Sequence, residues 1–291
     1  MSYTVSCVTT LEEAKAAWDL LSPHEHLMDE WAYRYLYFQY TPFTPQFYVL
    51  YKKKTPVALL PLQMNNEGVV EFFGGRKFYK NSIFMHDTNT DSYKLLFAAV
   101  HDPMRLEMMN EPIPGLQVQE EETGYYILPL NGLKDWHSYL EKDWHGKSKK
   151  NLKSQMKKIE SLGIEIIEDD NKDLKILAEY NLAQFKEHSH FNKPHRLAYL
   201  QELMNVYSTK ILSIRHNSKT IAVGFSIVFN NTYYSLTSGH DVSVNNLGKY
   251  LILCRIEQAI KAGAHFYEAG RHDYGWKEKF HFIKKNLYIS A

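Results

Sequence analysis

Residues 210–240 read KILSIRH, NSK, TIAVGFSIVF, NN, TYYSLTSGH. Three apolar, β-branched runs are separated by turns of two or three residues rich in Asn and Ser, the pattern of two successive hairpins. Turns that short join only antiparallel neighbours, because a parallel crossover needs a dozen residues or more. The three hairpin-linked strands argue against a doubly wound parallel sheet. The expectation is a mixed sheet with helices against its faces.

The flanking sequence fills in that plan. In GKSKKNLKSQMKKIESLG, Leu152, Met156 and Ile159 fall at helical spacing, and Gly163 suits a C-terminal cap. IEIIE follows as a strand ending at Glu168. Helices are predicted over 172–188, with Leu174, Leu177, Ala178 and Phe185 on one face, and over 195–207. After the strand triplet, VNNLGKYLILCRIEQAIKAG predicts a helix that stops at Gly263. AHFYEAG, carrying Glu268, is the next strand, and NLYIS the last. The first half repeats the order: a strand over 3–8, helices over 11–21 and 26–40, strands FYVLYKK, TPVALLPLQM and GVVEFFGG, a helix over 92–100 and a strand over 106–109. KTPVALLP from Lys54 and KTIAVGFS from Lys219 both sit at the second strand of a triplet. Two similar units are expected, 1–128 and 129–291, with the boundary near Pro129.

Composition narrows the function. The 291 residues are 44% apolar and 23% charged, enough for a sizeable core, and the net charge of +1 provides no global field for DNA or an anionic membrane. No stretch approaches the roughly 20 apolar residues of a membrane span. The two cysteines, Cys7 and Cys254, form no disulfide framework, and MSYTVSCVTTLEEAK has no signal-peptide pattern, so a cytoplasmic protein is expected.

The order of elements, with HSYLEKDWHGKSKKNLKSQMKKIESLG, KTIAVGFSIVFNNTYYSLTSGHD, NLGKYLILCRIEQAIKAGAHFYEAG and YGWKEKF, resembles the GNAT acyltransferase superfamily. Within it, the chain is similar to tandem-GNAT proteins of the CelD-type acetyltransferase family, relatives of Fem-type peptidoglycan aminoacyltransferases. The resemblance is strong over the second half. In the first half it covers LLPL and the general layout. It implies an α+β (mixed α/β) tandem GNAT fold of two similar mixed-sheet domains with helices on the sheet faces. It also implies acetyl-CoA or another acyl-CoA as donor, an amine on a small molecule or peptide as acceptor, and no metal.

A helix start is an anion site, because its first N–H groups lack intrahelical acceptors and carry partial positive charge. The resemblance therefore assigns the donor pyrophosphate to Asn245, Asn246, Leu247, Gly248, Lys249 and Tyr250. Asn245 and Asn246 are candidate caps, and Gly248 admits close approach. The family pattern [RQ]-x-x-G-x-[GA] is met at Gly248 only, with Asn245 at its first position and Tyr250 at its last.

Acyl transfer to an amine needs a base and donors for the oxyanion. His240, Asp241, Glu268 and Asp273 are candidate bases. Tyr274 is a candidate acid or oxyanion donor, and Lys277, at the lysine of the family's YK..f segment, a candidate stabiliser of negative charge. His188, His190 and His195 lack the matching ligands of a metal site. The lysines Lys147, Lys149, Lys150, Lys153, Lys157 and Lys158 crowd one helix, an ordinary solvated face or an attraction for phosphates. The leading expectation is direct N-acyl transfer from acyl-CoA, with the donor in the second half and the acceptor cleft shaped by a degenerate first half. GGRKFYKNSIFMHDTNT there offers no comparable phosphate cradle. The alternatives are a Fem-like, aminoacyl-tRNA-dependent transferase on a cell-wall precursor, although no long helical arm is present, and a GNAT-derived binding module without turnover.

Overall fold

The first unit begins with β1 (Tyr3–Val8), α1 (Leu11–Leu21), α2 (Trp31–Phe38), β2 (Thr44–Lys52), β3 (Thr55–Met64), β4 (Val70–Phe72), β5 (Phe84–Met85), α3 (Thr90–Ala98) and β6 (Val118–Glu120). The computed structural model describes residues 3–40, 44–86 and 90–290. Strands β1 to β4 pair in sequence order, all antiparallel, with β5 also on β3. VALLPL in β3 is apolar at every position because both faces of this sheet are covered. Phe47, Val49 and Leu59 pack on one face with Trp18 of α1, whereas Tyr48, Leu50, Leu60 and Leu62 pack on the other with Leu96 of α3.

Two expectations fail in this unit. The stretch 26–40 is not one helix. Its first turn, Leu27–Asp29, is 3₁₀. The Asp29 carboxylate accepts from the Glu25 and His26 N–H groups, and its carbonyl accepts from Trp18 Nε1 and the Ser22 hydroxyl. Those bonds hold a tight turn in place of a continuing helix. The segment 106–109 is no strand either. Met109 makes only isolated bridges, parallel with Asn81 and antiparallel with Tyr288. In the stretch expected to lack a phosphate cradle, residues 87–89 lie outside the described residues.

The second unit comprises β7 (Tyr125–Pro129), α4 (Trp136–Asp143), α5 (Gly146–Glu160), β8 (Ile164–Glu168), α6 (Leu174–Phe185), α7 (Arg196–Val206), β9 (Thr209–His216), β10 (Lys219–Phe229), β11 (Thr232–His240), α8 (Leu247–Lys261), β12 (Phe266–Arg271) and β13 (Ile283–Lys285). Its seven strands run β13-β7-β12-β11-β10-β9-β8. Strands β8 to β11 form an antiparallel meander, as the short turns require, with positive φ at Asn217, Ser218, Asn230 and Asn231. Strand β12 then joins β11 in parallel after crossing over through α8.

The division of the chain differs from the expected boundary. The units are the residues up to Gly124 together with those from Lys285, and Tyr125–Lys284. Pro129 ends β7, which pairs with β12 and so belongs to the second sheet. NLYIS is no strand of that sheet: β14 (Tyr288–Ser290) pairs with β6 in the first unit. Helix α4, begun by a reciprocal capping box between Asp135 and Ser138, was not foreseen.

Candidate active site

Strands β11 and β12 are registered over three pairs only, Thr232 with Phe266, Tyr233 with Tyr267 and Tyr234 with Glu268. Beyond them β11 continues to His240 and β12 to Arg271, and among the described residues no further pairing joins the two. The sheet opens there into a V. A β-bulge marks the same place. Against β10, Ser235 pairs with Ser226 and Thr237 with Phe225, so Leu236 is skipped. A bulge leaves its extra residue out of the ladder and bends the strand. The backbone of Leu236 therefore lies at the mouth of the V, outside the registered pairs of both neighbouring ladders.

Side chains alternate across this junction. Tyr233 donates its hydroxyl hydrogen to Gln258 Oε1 of α8 at 2.7 Å, and its ring stacks on Tyr267 with centroids 5.0 Å apart. Tyr234 and Glu268 consequently face the other side of the sheet. Glu268 is only 1% exposed and lies between Tyr234 on β11 and Ile127 on β7. Burial and the Glu268 charge push the Tyr125 phenol up to about 12, so it stays protonated. On this same face α6 lies directly against β11. A Cβ at Gly239 would come within 2.6 Å of the Leu177 carbonyl oxygen. Asn181 of α6 donates to the Ser238 carbonyl at 2.7 Å and accepts from the Ser189 hydroxyl at 2.7 Å.

The far end of β11 faces the start of α8. Asn246 occupies the N-cap position in the left-handed conformation, with φ of 66°, and its side chain makes no cap bond. Its Oδ1 accepts from Lys249 Nζ, which also donates to Gln155 Oε1 on α5. The Leu247 N–H is taken by the Val244 carbonyl. By helix geometry the N–H groups of Gly248 and Lys249 have no acceptor within the helix. Leu247 and Tyr250 point into the core, and Asn245 is exposed. At Gly248 the group admitted by the missing side chain is an imidazole: a Cβ there would stand 2.8 Å from His240 Cε1 and 3.0 Å from Nε2. Burial holds His240 below its ordinary range, against the pull of Asp241. Asp241 closes an Asx turn by accepting from the Ser243 N–H at 2.9 Å and the Ser243 hydroxyl at 2.6 Å.

After β12 the chain folds back in a capped turn. Asp273 Oδ1 accepts from the Trp276 and Lys277 N–H groups at 3.0 and 2.7 Å. Lys277 is 2% exposed. Its ammonium donates to the Gly270 and Arg271 carbonyls at 2.9 and 2.6 Å and lies 5.0 Å from the Tyr126 ring centroid. Burial lowers it to about 7. Tyr274 is 65% exposed, its ring 6.2 Å from Phe185 and 6.1 Å from His272.

The twelve sequence candidates thus fall into three places. Glu268 sits at the base of the V. Asp273, Tyr274 and Lys277 follow β12. His240, Asp241 and the six residues 245–250 cluster at the other end of β11, roughly 15–20 Å from Glu268 at about 3.3 Å per residue. His240 and Glu268 also face opposite sides of the sheet. They do not form one acid–base pair. Sequence reasoning missed Leu236 and Tyr125. A bulge leaves no mark in the composition of SLTSGH, and Tyr125 lies on an unpredicted strand, in the stretch 1–128 expected to belong to the first unit. Among the described residues no group of three or more His, Cys, Asp and Glu side chains is arranged to hold a metal. Lysines 149 and 153 pair with Glu141, whereas Lys147, Lys150, Lys157 and Lys158 stand in solvent.

The family model described as acetyltransferase (GNAT) domain matches residues 146–278. No curated protein matches the sequence. Among solved structures, L-PGS from Bacillus licheniformis is similar over 97% of this chain and 91% of its own, at 11% identity and a TM-score of 0.62. FemX is similar over 99% and 97%, at 10% identity and a TM-score of 0.60. A tandem GNAT protein from the clavulanic acid biosynthesis pathway is similar over 100% and 98%, at 10% identity and a TM-score of 0.53. At such identities the likeness is one of fold.

Proposed function

We propose that this chain, whose residues 146–278 match the family model described as acetyltransferase (GNAT) domain, is a GNAT-type enzyme that transfers an acyl group from acyl-CoA to an amine by direct attack in the V between β11 and β12. The observation that carries the reading is the coincidence of three features: pairing that ends at Tyr234–Glu268, the skipped Leu236, and a buried carboxylate beside them.

The donor lies along β11. Its pyrophosphate sits at the start of α8 on the Gly248 and Lys249 N–H groups, with Lys249 beside it. The amide-bearing arm of CoA runs back along the edge of Ser235–His240 that β12 leaves uncovered, where an extended ligand can meet backbone groups other than the Ser238 carbonyl, which Asn181 already holds. The thioester then reaches the bulge. The acceptor nitrogen attacks the thioester carbon, and the carbonyl electrons move to oxygen. Backbone N–H at the bulge receives that oxyanion. Glu268 takes the proton of the attacking amine, directly or through one water. Collapse expels the thiolate of CoA, which takes a proton from solvent or from Tyr125, the half-buried phenol beside Glu268. No covalent enzyme intermediate is needed. Cys254 is buried in the core with its thiol pushed up to about 12, so it stays unreactive. Proximity and the oriented backbone donors supply the rate.

A second reading keeps the V and changes the donor to aminoacyl-tRNA. The four solvated lysines of α5 favour it, because a nucleic acid donor needs phosphate contacts. Both readings meet one experiment. The full chain is melted with acetyl-CoA, longer acyl-CoAs, free CoA or aminoacyl-tRNA. A ligand at a hundredfold over its dissociation constant adds about 2.7 kcal/mol. A shift with acyl-CoA that Gly248→Trp abolishes supports the first reading. A shift with aminoacyl-tRNA alone, reduced when the α5 lysines are changed to Gln, replaces it with the second. Acyl-CoA binding without CoA release for any amine identifies a binding module.

A further inference from the structure

Arg255 of α8 is 4% exposed and points at the sheet. Its Nη2 donates to the Phe225 carbonyl at 3.1 Å and to Ser226 Oγ at 2.7 Å. Those two residues of β10 are the ones between which the ladder skips Leu236. The guanidinium carbon lies 6.0 Å from the ring centroids of both Tyr233 and Tyr267, the middle pair of the short β11–β12 register. One side chain therefore touches all three strands where the bulge begins and the V opens. The sheet is hollowed to receive it: a Cβ at Gly224 would stand 2.7 Å from Arg255 Cδ and 2.8 Å from Nε.

This placement is costly. Among the described residues the charge has no carboxylate partner, its neighbours being the two tyrosines. Its Nε is buried with no hydrogen-bond acceptor. A buried cation without a counter-charge is poor packing material, and an apolar side chain of similar volume would serve a purely structural need as well or better. What an apolar residue would not provide is the pair of charge-assisted bonds to β10 opposite the skipped residue.

We propose that Arg255 is a positioning residue for acyl transfer: by holding Phe225 and Ser226 it fixes the bulge, and so the direction in which the Leu236 backbone meets the thioester oxygen. The inference rests on the acyl-transfer reading above and adds to it the device that sets its oxyanion geometry. Arg255 touches neither donor nor acceptor and acts through the strand.

The test uses the full chain with Arg255→Met, Arg255→Lys and Ser226→Ala. Ser226→Ala removes one bond with almost no change of volume and keeps the test valid if the Met variant does not fold. Two readouts are taken with acetyl-CoA as probe, its dissociation constant and the rate of CoA release to an amine or to water. A third, hydrogen exchange over 224–238, needs no ligand. Affinity should stay within about threefold while the release rate falls about 10- to 100-fold in Arg255→Met, the usual penalty for a reacting centre misplaced by about 1 Å. Arg255→Lys should recover part of it, Ser226→Ala should lie between, and exchange should quicken around Leu236. Folded variants that release CoA at the wild-type rate, or exchange unchanged at the bulge, overturn the assignment. A wild-type chain that neither binds acetyl-CoA nor releases CoA overturns the proposed function, and unchanged exchange in its variants would remove the bulge-holding role independently.

Discussion

The His240 imidazole lies against the Cα of Gly248, so that a Cβ there would stand 2.8 Å from Cε1. Gly248 has helical φ, so its lack of a side chain serves this contact and not an unusual backbone. Gly248→Ala in the wild-type background should cost about 1–3 kcal/mol, the penalty for overpacking. With His240→Ala already present, the same substitution should stabilise the helix by up to about 1 kcal/mol, because alanine is the better helix former. Urea unfolding of the four proteins checks the reversal of sign. A cost for Gly248→Ala that persists without His240 would place the constraint elsewhere.

Glu268 is the one sequence candidate at the base of the V. Glu268→Gln keeps its shape and removes its charge. Acetyl-CoA affinity should be retained while CoA release to an amine falls about 10²- to 10⁴-fold, the range for a lost general base. Calorimetry and thiol release separate the two. Equal loss in both would assign Glu268 to donor binding.

Lys277 provides a pH signature. Burial lowers it to about 7 from an ordinary 10.5. Between those values the unfolded chain holds a proton that the folded protein has released, so stability rises with pH across that window. The cost of burying the charge is present in full below about pH 7. Relative to Lys277→Met, which also lacks the two carbonyl bonds, the wild type should gain up to about 1.4 kcal/mol per pH unit from pH 7 to 10. Denaturant unfolding at three pH values reads the slope of that difference. A flat difference would mean that Lys277 titrates as an ordinary lysine.

The cysteines should differ in reactivity. Cys7 is exposed and Cys254 buried. A thiol reagent should modify one cysteine per native chain and two in denaturant, and modification of Cys7 should leave acetyl-CoA affinity unchanged.

What the sequence revealed followed from local chemistry. The turns at Asn217–Ser218 and Asn230–Asn231 need positive φ, and their residue types announce it. The stripe of Leu152, Met156 and Ile159 on α5 is visible as periodicity and is buried as expected. What stayed hidden depends on partners far along the chain. Strand β7 pairs with β12, some 140 residues later. The C-terminal strand returns to β6. The bulge at Leu236 is a relation between two strands and has no residue type of its own. The starting Asn pair at α8 illustrates the limit: the types fit a cap, yet Asn246 turns to Lys249 instead.

Strand β7 has a further consequence for how such a chain can be inherited or divided. The residues that match the acetyltransferase family, 146–278, exclude the strand that lies between β12 and β13. Excised at those limits, the fragment would present β12 as a bare edge, with the carboxylate of Glu268 beside it, and would invite self-association. A fragment that keeps β12 covered must therefore reach back to Tyr125. Recombination inside 125–145 would separate a recognisable sequence from the strand that completes its fold.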